Sequence, residues 1–99
     1  MQLSRRRSAS DEDNTVSFPR LESWNPMTKV ATIAAEVNKR RILCRISLDV
    51  LRKKFKASAD EPMVAVAENR LLLQNAARKL IESKAFEEDG SIIIRQREL

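Results

Sequence analysis

The stretch that decides the fold is KVATIAAEVNKRRILCRIS, residues 29–47. It contains two runs, 29–37 and 40–46, that are rich in the β-branched and apolar residues typical of strands. Only Asn38 and Lys39 separate the two runs, and a two-residue loop is a common connection between antiparallel neighbours. The stretch therefore predicts a β-hairpin.

The alternation of residues along the two runs predicts which face of the hairpin is buried. A two-residue turn sets Ile33 opposite Cys44 on one face and Glu36 opposite Arg41 on the other. An apolar face backed by a pair of opposite charges is typical of an antiparallel sheet that is covered on one side. We expect the remaining elements to cover the face that carries Ile33 and Cys44.

The residues that follow the hairpin predict a short helix. Ser47 can cap it, because a serine hydroxyl can accept a hydrogen bond from an unpaired N–H of the first helical turn. Leu48, Leu51 and Phe55 fall on one side of a helix over residues 48–56.

A second and longer helix is predicted after a short link. It is expected to begin at an Asp60 cap, to hold Pro62 in its first turn and to continue to about Lys84. Beyond the turn at Gly90, the β-branched residues of 91–94 predict a last strand.

Together these elements predict a two-layer α+β domain over residues 16–99. Its small antiparallel sheet would consist of the hairpin and the C-terminal strand, with room for a short N-terminal strand, and would pack against two helices. Residues 1–15 are polar and have no apolar period, so a disordered tail is expected there.

Composition argues against most kinds of catalysis. The 99 residues include no histidine, no tyrosine, one cysteine and one glycine. Cys44 therefore has no histidine to activate it, and a buried core thiol is expected. No metal-ligand spacing and no glycine-rich phosphate loop is present, so we expect neither an enzyme nor a cofactor, metal or small-molecule substrate. The sequence has no apolar run long enough for a membrane span and suggests a cytoplasmic protein.

Positive charge is concentrated in the middle of the chain. The whole sequence has a net charge of +5, whereas residues 18–58 hold ten lysines and arginines against three acidic residues, a net +7. Such an asymmetry can attract an anionic partner over a long range. The candidate anion or nucleic-acid contacts are Lys39, Arg40, Arg41, Arg45, Arg52, Lys53, Lys54 and Lys56.

Three consecutive leucines, residues 71–73, indicate a possible interface on the long helix. Three neighbouring positions span about 200° of a helix, so one sheet cannot cover all of them. We expect Leu72 to lie with Ala65 and Ala76 on an exposed flank that contacts a protein partner.

Several short motifs follow one another in a defined order between Val16 and Leu99. They are Phe18-Pro19, Trp24, Val37-Asn38, Ile42-x-Cys44-x-Ile46-Ser47, Leu51 and Phe55, Asn69-Arg70, and Asp89-Gly90-Ser91-Ile92. In this order the chain resembles a family of short bacterial proteins known only as domain of unknown function fourteen eighty-eight. The resemblance implies a two-layer α+β fold and a bacterial cytoplasmic setting, and it names no functional residue. Lys39 stands where that family tends to have glycine, and Val66 where it often has an aromatic residue.

Two functions remain open at this point. The first is a small non-enzymatic protein that binds another protein or a second copy of itself. The alternative is a nucleic-acid-binding accessory protein that uses the basic residues between 39 and 56.

Overall fold

The computed structural model describes residues 15–99, so the predicted tail lies almost wholly outside the described residues. These residues form four strands, three α-helices and a final 3₁₀ turn. These elements are β1 (Glu22–Asn25), β2 (Val30–Val37), β3 (Arg40–Ser47), α1 (Leu48–Phe55), α2 (Pro62–Glu68), α3 (Arg70–Glu82), β4 (Ile92–Ile93) and the 3₁₀ turn Gln96–Glu98. The α+β fold class predicted from the sequence is confirmed.

The hairpin forms with the predicted register. β2 and β3 are antiparallel, with Ile33 opposite Cys44 and Glu36 opposite Arg41. Asn38 and Lys39 both have positive φ, 55° and 66°, as the tight turn that matches the twist of a hairpin requires. The charge pair on the outer face also forms, since Arg41 Nη2 lies 2.8 Å from Glu36 Oε2.

The sheet has the order β1-β2-β3-β4 and is mixed. β1 is the short N-terminal strand that the sequence allowed, and it pairs antiparallel to β2. β4 runs parallel to β3, with Ile92 beside Cys44, so the expectation of a purely antiparallel sheet is wrong for this strand. The three helices between β3 and β4 return the chain to the end of the sheet from which β3 started, and the two strands therefore point the same way.

Helix α1 begins as predicted. The Ser47 hydroxyl accepts a hydrogen bond from the Val50 N–H at 3.2 Å, and Asp49 and Lys53 form an exposed ion pair one turn apart. The helix ends at Lys56, which adopts the left-handed conformation with φ 57°. Its buried residue is Leu51.

The predicted single long helix is two helices, α2 and α3, which meet at Asn69. The Asn69 side chain donates a hydrogen bond to the Ala65 carbonyl at 2.9 Å, and such a bond competes with the regular helical ladder. The predicted Asp60 cap is also wrong, because the capping position is Glu61 and no side chain bonds the first turn there. Pro62 does occupy the start of the helix.

The core lies between the inner face of the sheet and the three helices. Cys44 and Ile46 from β3 and Ile92 from β4 meet the helical side chains of Leu51 and Leu73, and all five are almost completely inaccessible. The structure thus buries the face of the hairpin that the alternation selected.

Candidate interaction surfaces

Apolar side chains are exposed on the outward face of α2 and α3. Leu71 is 76% exposed, Val64 48% and Leu72 41%. Ala67 is exposed as well, on α2 one turn after Val64. We call Val64, Ala67, Leu71 and Leu72 the helical face.

The flank expected from the sequence does not have the predicted exposure. Leu72 is exposed, but Ala65 and Ala76 are each only 5% exposed and belong to the core. One straight helix over residues 60–84 would expose them, whereas the chain bends at Asn69 and turns both alanines towards the sheet. Leu71, the neighbour of Leu72 in the chain, is exposed all the same, and so is Val64 on α2.

An ion pair holds the bend between α2 and α3 against the sheet. Glu22 on β1 accepts hydrogen bonds from Arg70 Nε at 2.6 Å and Arg70 Nη2 at 3.0 Å. Both side chains are about three-quarters shielded from solvent. The hydrogen bond from Arg70 holds the pKa of the Glu22 carboxyl below its ordinary value of 4.5, against the opposing effect of burial. The start of α3 is therefore fixed to an edge strand.

Three of the eight candidate cations are already engaged with acidic residues. Arg41 pairs with Glu36, and Lys53 pairs with Asp49. Arg45 lies 3.1 Å from Asp89, and hydrogen bonds from Ser91 hold the pKa of the Asp89 carboxyl below its ordinary value. These three side chains are less available to a phosphate than the sequence suggested.

The other five cations are exposed, and within residues 15–99 they form no ion pair. They fall into two groups, Lys39 with Arg40 and Arg52 with Lys54 and Lys56. Arg40 begins β3 and Ser47 ends it, a distance of roughly 23 Å at the rise of a strand. The hairpin tip and the start of α1 are therefore at opposite ends of β3, so the structure divides the predicted basic surface.

A groove of about 990 Å³ lies between the tip of the hairpin, the end of α3 and the loop before β4. Its apolar lining residues include Val37, Ile42, Ile81 and Phe86, and charged residues line much of the rest. Phe86 is 43% exposed, so an aromatic ring is available to an occupant of the groove. Sequence reasoning missed this groove because it joins residues that are far apart in the chain.

The candidate nucleophile is buried. Cys44 is inaccessible to solvent, and its Sγ faces the Ile42 carbonyl at 3.7 Å. Burial raises the pKa of the thiol from 9.0 to about 12, so the thiol is neutral at physiological pH. Between Thr15 and Leu99 no group of three histidine, cysteine, aspartate or glutamate residues is placed to hold a metal ion.

The architecture defines a small α+β protein with one layer of helices on a mixed four-stranded sheet. The chain belongs to the family described as protein of unknown function DUF1488, whose model matches residues 16–94. The crystal structure of a protein of unknown function from the DUF1488 family, from Shewanella loihica PV-4, is similar in fold, with a TM-score of 0.74. The two sequences are 23% identical over 81% of this chain and 92% of that one. No curated protein matches the chain.

None of the described helices is both long and apolar enough to cross a membrane. The matching family is described as being of unknown function.

Proposed function

We propose that this chain is a small, non-enzymatic, bacterial cytoplasmic protein that acts by binding another protein through the helical face. The exposure of Leu71 carries the proposal, since this leucine is 76% exposed in the middle of a face that also exposes Val64 and Leu72. Single exposed leucines are ordinary, but neighbouring exposed apolar side chains are typical of interaction sites.

The charges around the helical face make a second copy of the chain the first partner to test. Glu61 lies on its N-terminal side, and Lys79 lies beyond it on α3, both exposed. An antiparallel copy related by a twofold axis would set Glu61 of one chain against Lys79 of the other. Such an arrangement would cover Leu71 and oppose unlike charges.

Sedimentation velocity on the full chain tests the proposal. We expect association that strengthens with protein concentration, and the Leu71→Glu variant should be monomeric because it buries a charge in the interface. Met27→Glu is the matched control, because it adds the same negative charge at a different site. Met27 is 89% exposed and lies on the turn between β1 and β2. Equal association of both variants would contradict a role for the helical face.

Nucleic-acid binding is a second candidate, and the unpaired cations near the end of α1 support it. Arg52, Lys54 and Lys56 are exposed within about one and a half helical turns. Binding through them would be driven by phosphate contacts and would select weakly among sequences. The same side chains also oppose the negative end of the α1 dipole, which is a structural reason for their presence.

Salt dependence distinguishes this second candidate. Binding to a generic DNA duplex should weaken with a log–log slope of about −0.9 for each phosphate neutralised. Changing Arg52 and Lys54 to glutamine should flatten that slope, whereas the same change at Lys39 and Arg40 should leave it unaltered. A chain that binds no duplex or single strand at low salt would eliminate this candidate.

A further inference from the structure

The first half of one edge of β3 is without a strand partner in the described part of the chain. β4 pairs with β3 only at Cys44 and Arg45. The chain before β4 forms a tight turn, in which the Gly90 N–H donates to the Glu87 carbonyl at 2.9 Å. The first half of β3, from Arg40 to Leu43, therefore has β2 on one side and no strand of residues 15–99 on the other.

The hydrogen-bond alternation shows which backbone groups face that edge. Ile94 N–H donates to the Arg45 carbonyl at 2.8 Å, so the backbone of Arg45 points towards β4. Residues two apart in an antiparallel strand point the same way. The N–H and C=O of Arg41 and the N–H of Leu43 therefore face the open edge, and unpaired groups of this kind form a template for another strand.

This open edge coincides with the groove. Arg41 and Ile42 line the groove together with Val37, Ile81 and Phe86. An extended strand beside β3 would place every second side chain next to these apolar lining residues and the intervening ones on the outer face, next to the exposed Leu43. Main-chain hydrogen bonds and apolar pockets for alternate residues are what β-strand addition uses.

The charges at the groove show what kind of strand fits. Arg41 is paired with Glu36, Asp89 with Arg45, and Glu87 with Arg95 at 3.8 Å. The lining charges outside any described ion pair are Arg40 and Lys84 against Glu82 and Glu88, which cancel. An occupant is thus selected by its backbone and its apolar side chains, so a phosphate backbone is disfavoured.

We propose that this groove binds an extended, uncharged segment of a partner protein as an added strand along residues 40–43. The segment carries apolar residues at alternate positions. This inference rests on the proposed function, which is binding to a protein. It adds a second binding surface, the groove, which is separate from the helical face.

Peptide selection on the full chain provides the probe. Random hexapeptides displayed on phage are selected against the protein, and the enriched sequences are synthesised and titrated by NMR. We expect alternating apolar residues, changes at Arg41, Leu43 and Phe86, and affinities that depend weakly on salt. A selection that enriches nothing, or peptides that map elsewhere, would overturn the proposal.

A proline at position 41 tests the strand geometry. The Arg41 N–H is not needed for the ladder with β2, so Arg41→Pro removes a donor from the open edge alone. Arg41→Ala is the matched control, because it loses the same side chain and the same ion pair with Glu36 but keeps the N–H. We expect the proline variant to weaken peptide binding by about tenfold and the alanine variant to have little effect.

Two further measurements test strand addition, one with N-methylated peptides and one by amide exchange. N-methylation of alternate peptide amides should weaken binding by about tenfold in one register and not in the other, and this holds even if Arg41→Pro fails to fold. Equal effects in both registers would overturn strand addition. Slow amide exchange at Arg41 and Leu43 in the peptide-free chain would show that this chain or a second copy fills the edge, which would also overturn the proposal.

The two surfaces can fail independently. Leu71→Glu should leave peptide binding in the groove unchanged, because Leu71 does not line it. Loss of self-association in that variant, with peptide binding intact, separates the helical face from the groove.

Discussion

At the residue scale, burial makes the thiol of Cys44 unreactive. The side chain is fully inaccessible to solvent, and the chain has no histidine that could act as a base and deprotonate the thiol. The sequence could predict this, because alternation in the hairpin put position 44 on the same face as Ile33. We expect a thiol reagent to leave the native protein unmodified and to label it once it is unfolded.

The raised pKa of Cys44 has a consequence for stability at high pH. The unfolded chain releases the thiol proton near pH 9.0, whereas the fold retains it to about 12. The contribution of the protonated thiol to the free energy of unfolding is therefore complete below pH 9. It is lost as the pH rises towards 12, by up to about 1.4 kcal/mol per pH unit. Urea unfolding from pH 8 to 11 should show a steeper decline for the wild type than for Cys44→Ala. Parallel curves would contradict the burial of the thiol.

Lys39 is the second informative residue. It holds φ at 66°, a left-handed conformation that costs a residue with a side chain about 1–2 kcal/mol. Lys39→Gly removes that cost but makes the unfolded chain more flexible, so a net gain of about 0.5–1 kcal/mol in unfolding free energy is expected. Lys39→Ala loses the same charge without relieving the backbone and should give no gain. Equal unfolding free energies for the glycine and alanine variants would contradict the backbone explanation.

At the scale of the elements, local signals were sufficient for some parts of the fold and insufficient for others. The hairpin register depends on the two-residue loop between its strands, and the Ser47 cap depends on the residues that follow it directly. Both are local, and the sequence predicted both. The break at Asn69 was missed because helical periodicity continues across it. The contact that holds the bend joins Glu22 to Arg70, which are 48 positions apart, and spacing along the chain cannot reveal it.

The same limit explains the errors at the candidate surfaces. Ala65 and Ala76 were placed outside because a straight helix was assumed. The parallel direction of β4 follows from the path of three helices across the sheet, and no local pattern encodes that path. The groove is likewise a product of assembly, since its walls come from the hairpin, α3 and the loop before β4.

The ion pair between Glu22 and Arg70 should stabilise the fold more than an exposed pair does. Glu22→Gln leaves Arg70 with a weaker acceptor in a shielded position, so a drop of several degrees in Tm is expected at pH 7. Glu36→Gln is the control, because its partner Arg41 is about half exposed and such pairs contribute little. Equal losses in the two variants would contradict the structural role of Glu22.

The Glu22 pair also has a defined pH dependence. Because the fold lowers the pKa of this carboxyl below 4.5, its contribution is fully present above pH 4.5 and is lost as the pH falls further. The difference in Tm between the wild type and Glu22→Gln should therefore shrink between pH 6 and pH 3. A difference that stays constant over this range would argue against an ionised pair.

At the scale of the whole molecule, we expect the folding unit to begin at residues 16–18, and this N-terminal limit rests on the contacts of these residues. Val16 is 7% exposed and belongs to the core. Ser17 exchanges two backbone hydrogen bonds with Glu36, at 3.0 and 2.8 Å, which extends the sheet beyond β1. The guanidinium of Arg78 on α3 lies 5.5 Å from the centre of the Phe18 ring. This segment joins the edge of the sheet to the helical layer.

Two truncated chains test that limit. A chain that starts at Val16 keeps all of these contacts and should melt within a few degrees of the full chain. A chain that starts at Leu21 loses the buried valine, worth about 1.5–3 kcal/mol, together with the two hydrogen bonds. Since 1 kcal/mol corresponds to about 4–8 °C in a domain of this size, its Tm should fall by more than about 10 °C. Calorimetry of the three chains decides the matter, because an equal loss in both truncations would mean that residues before Val16 also contribute to the stability of the fold.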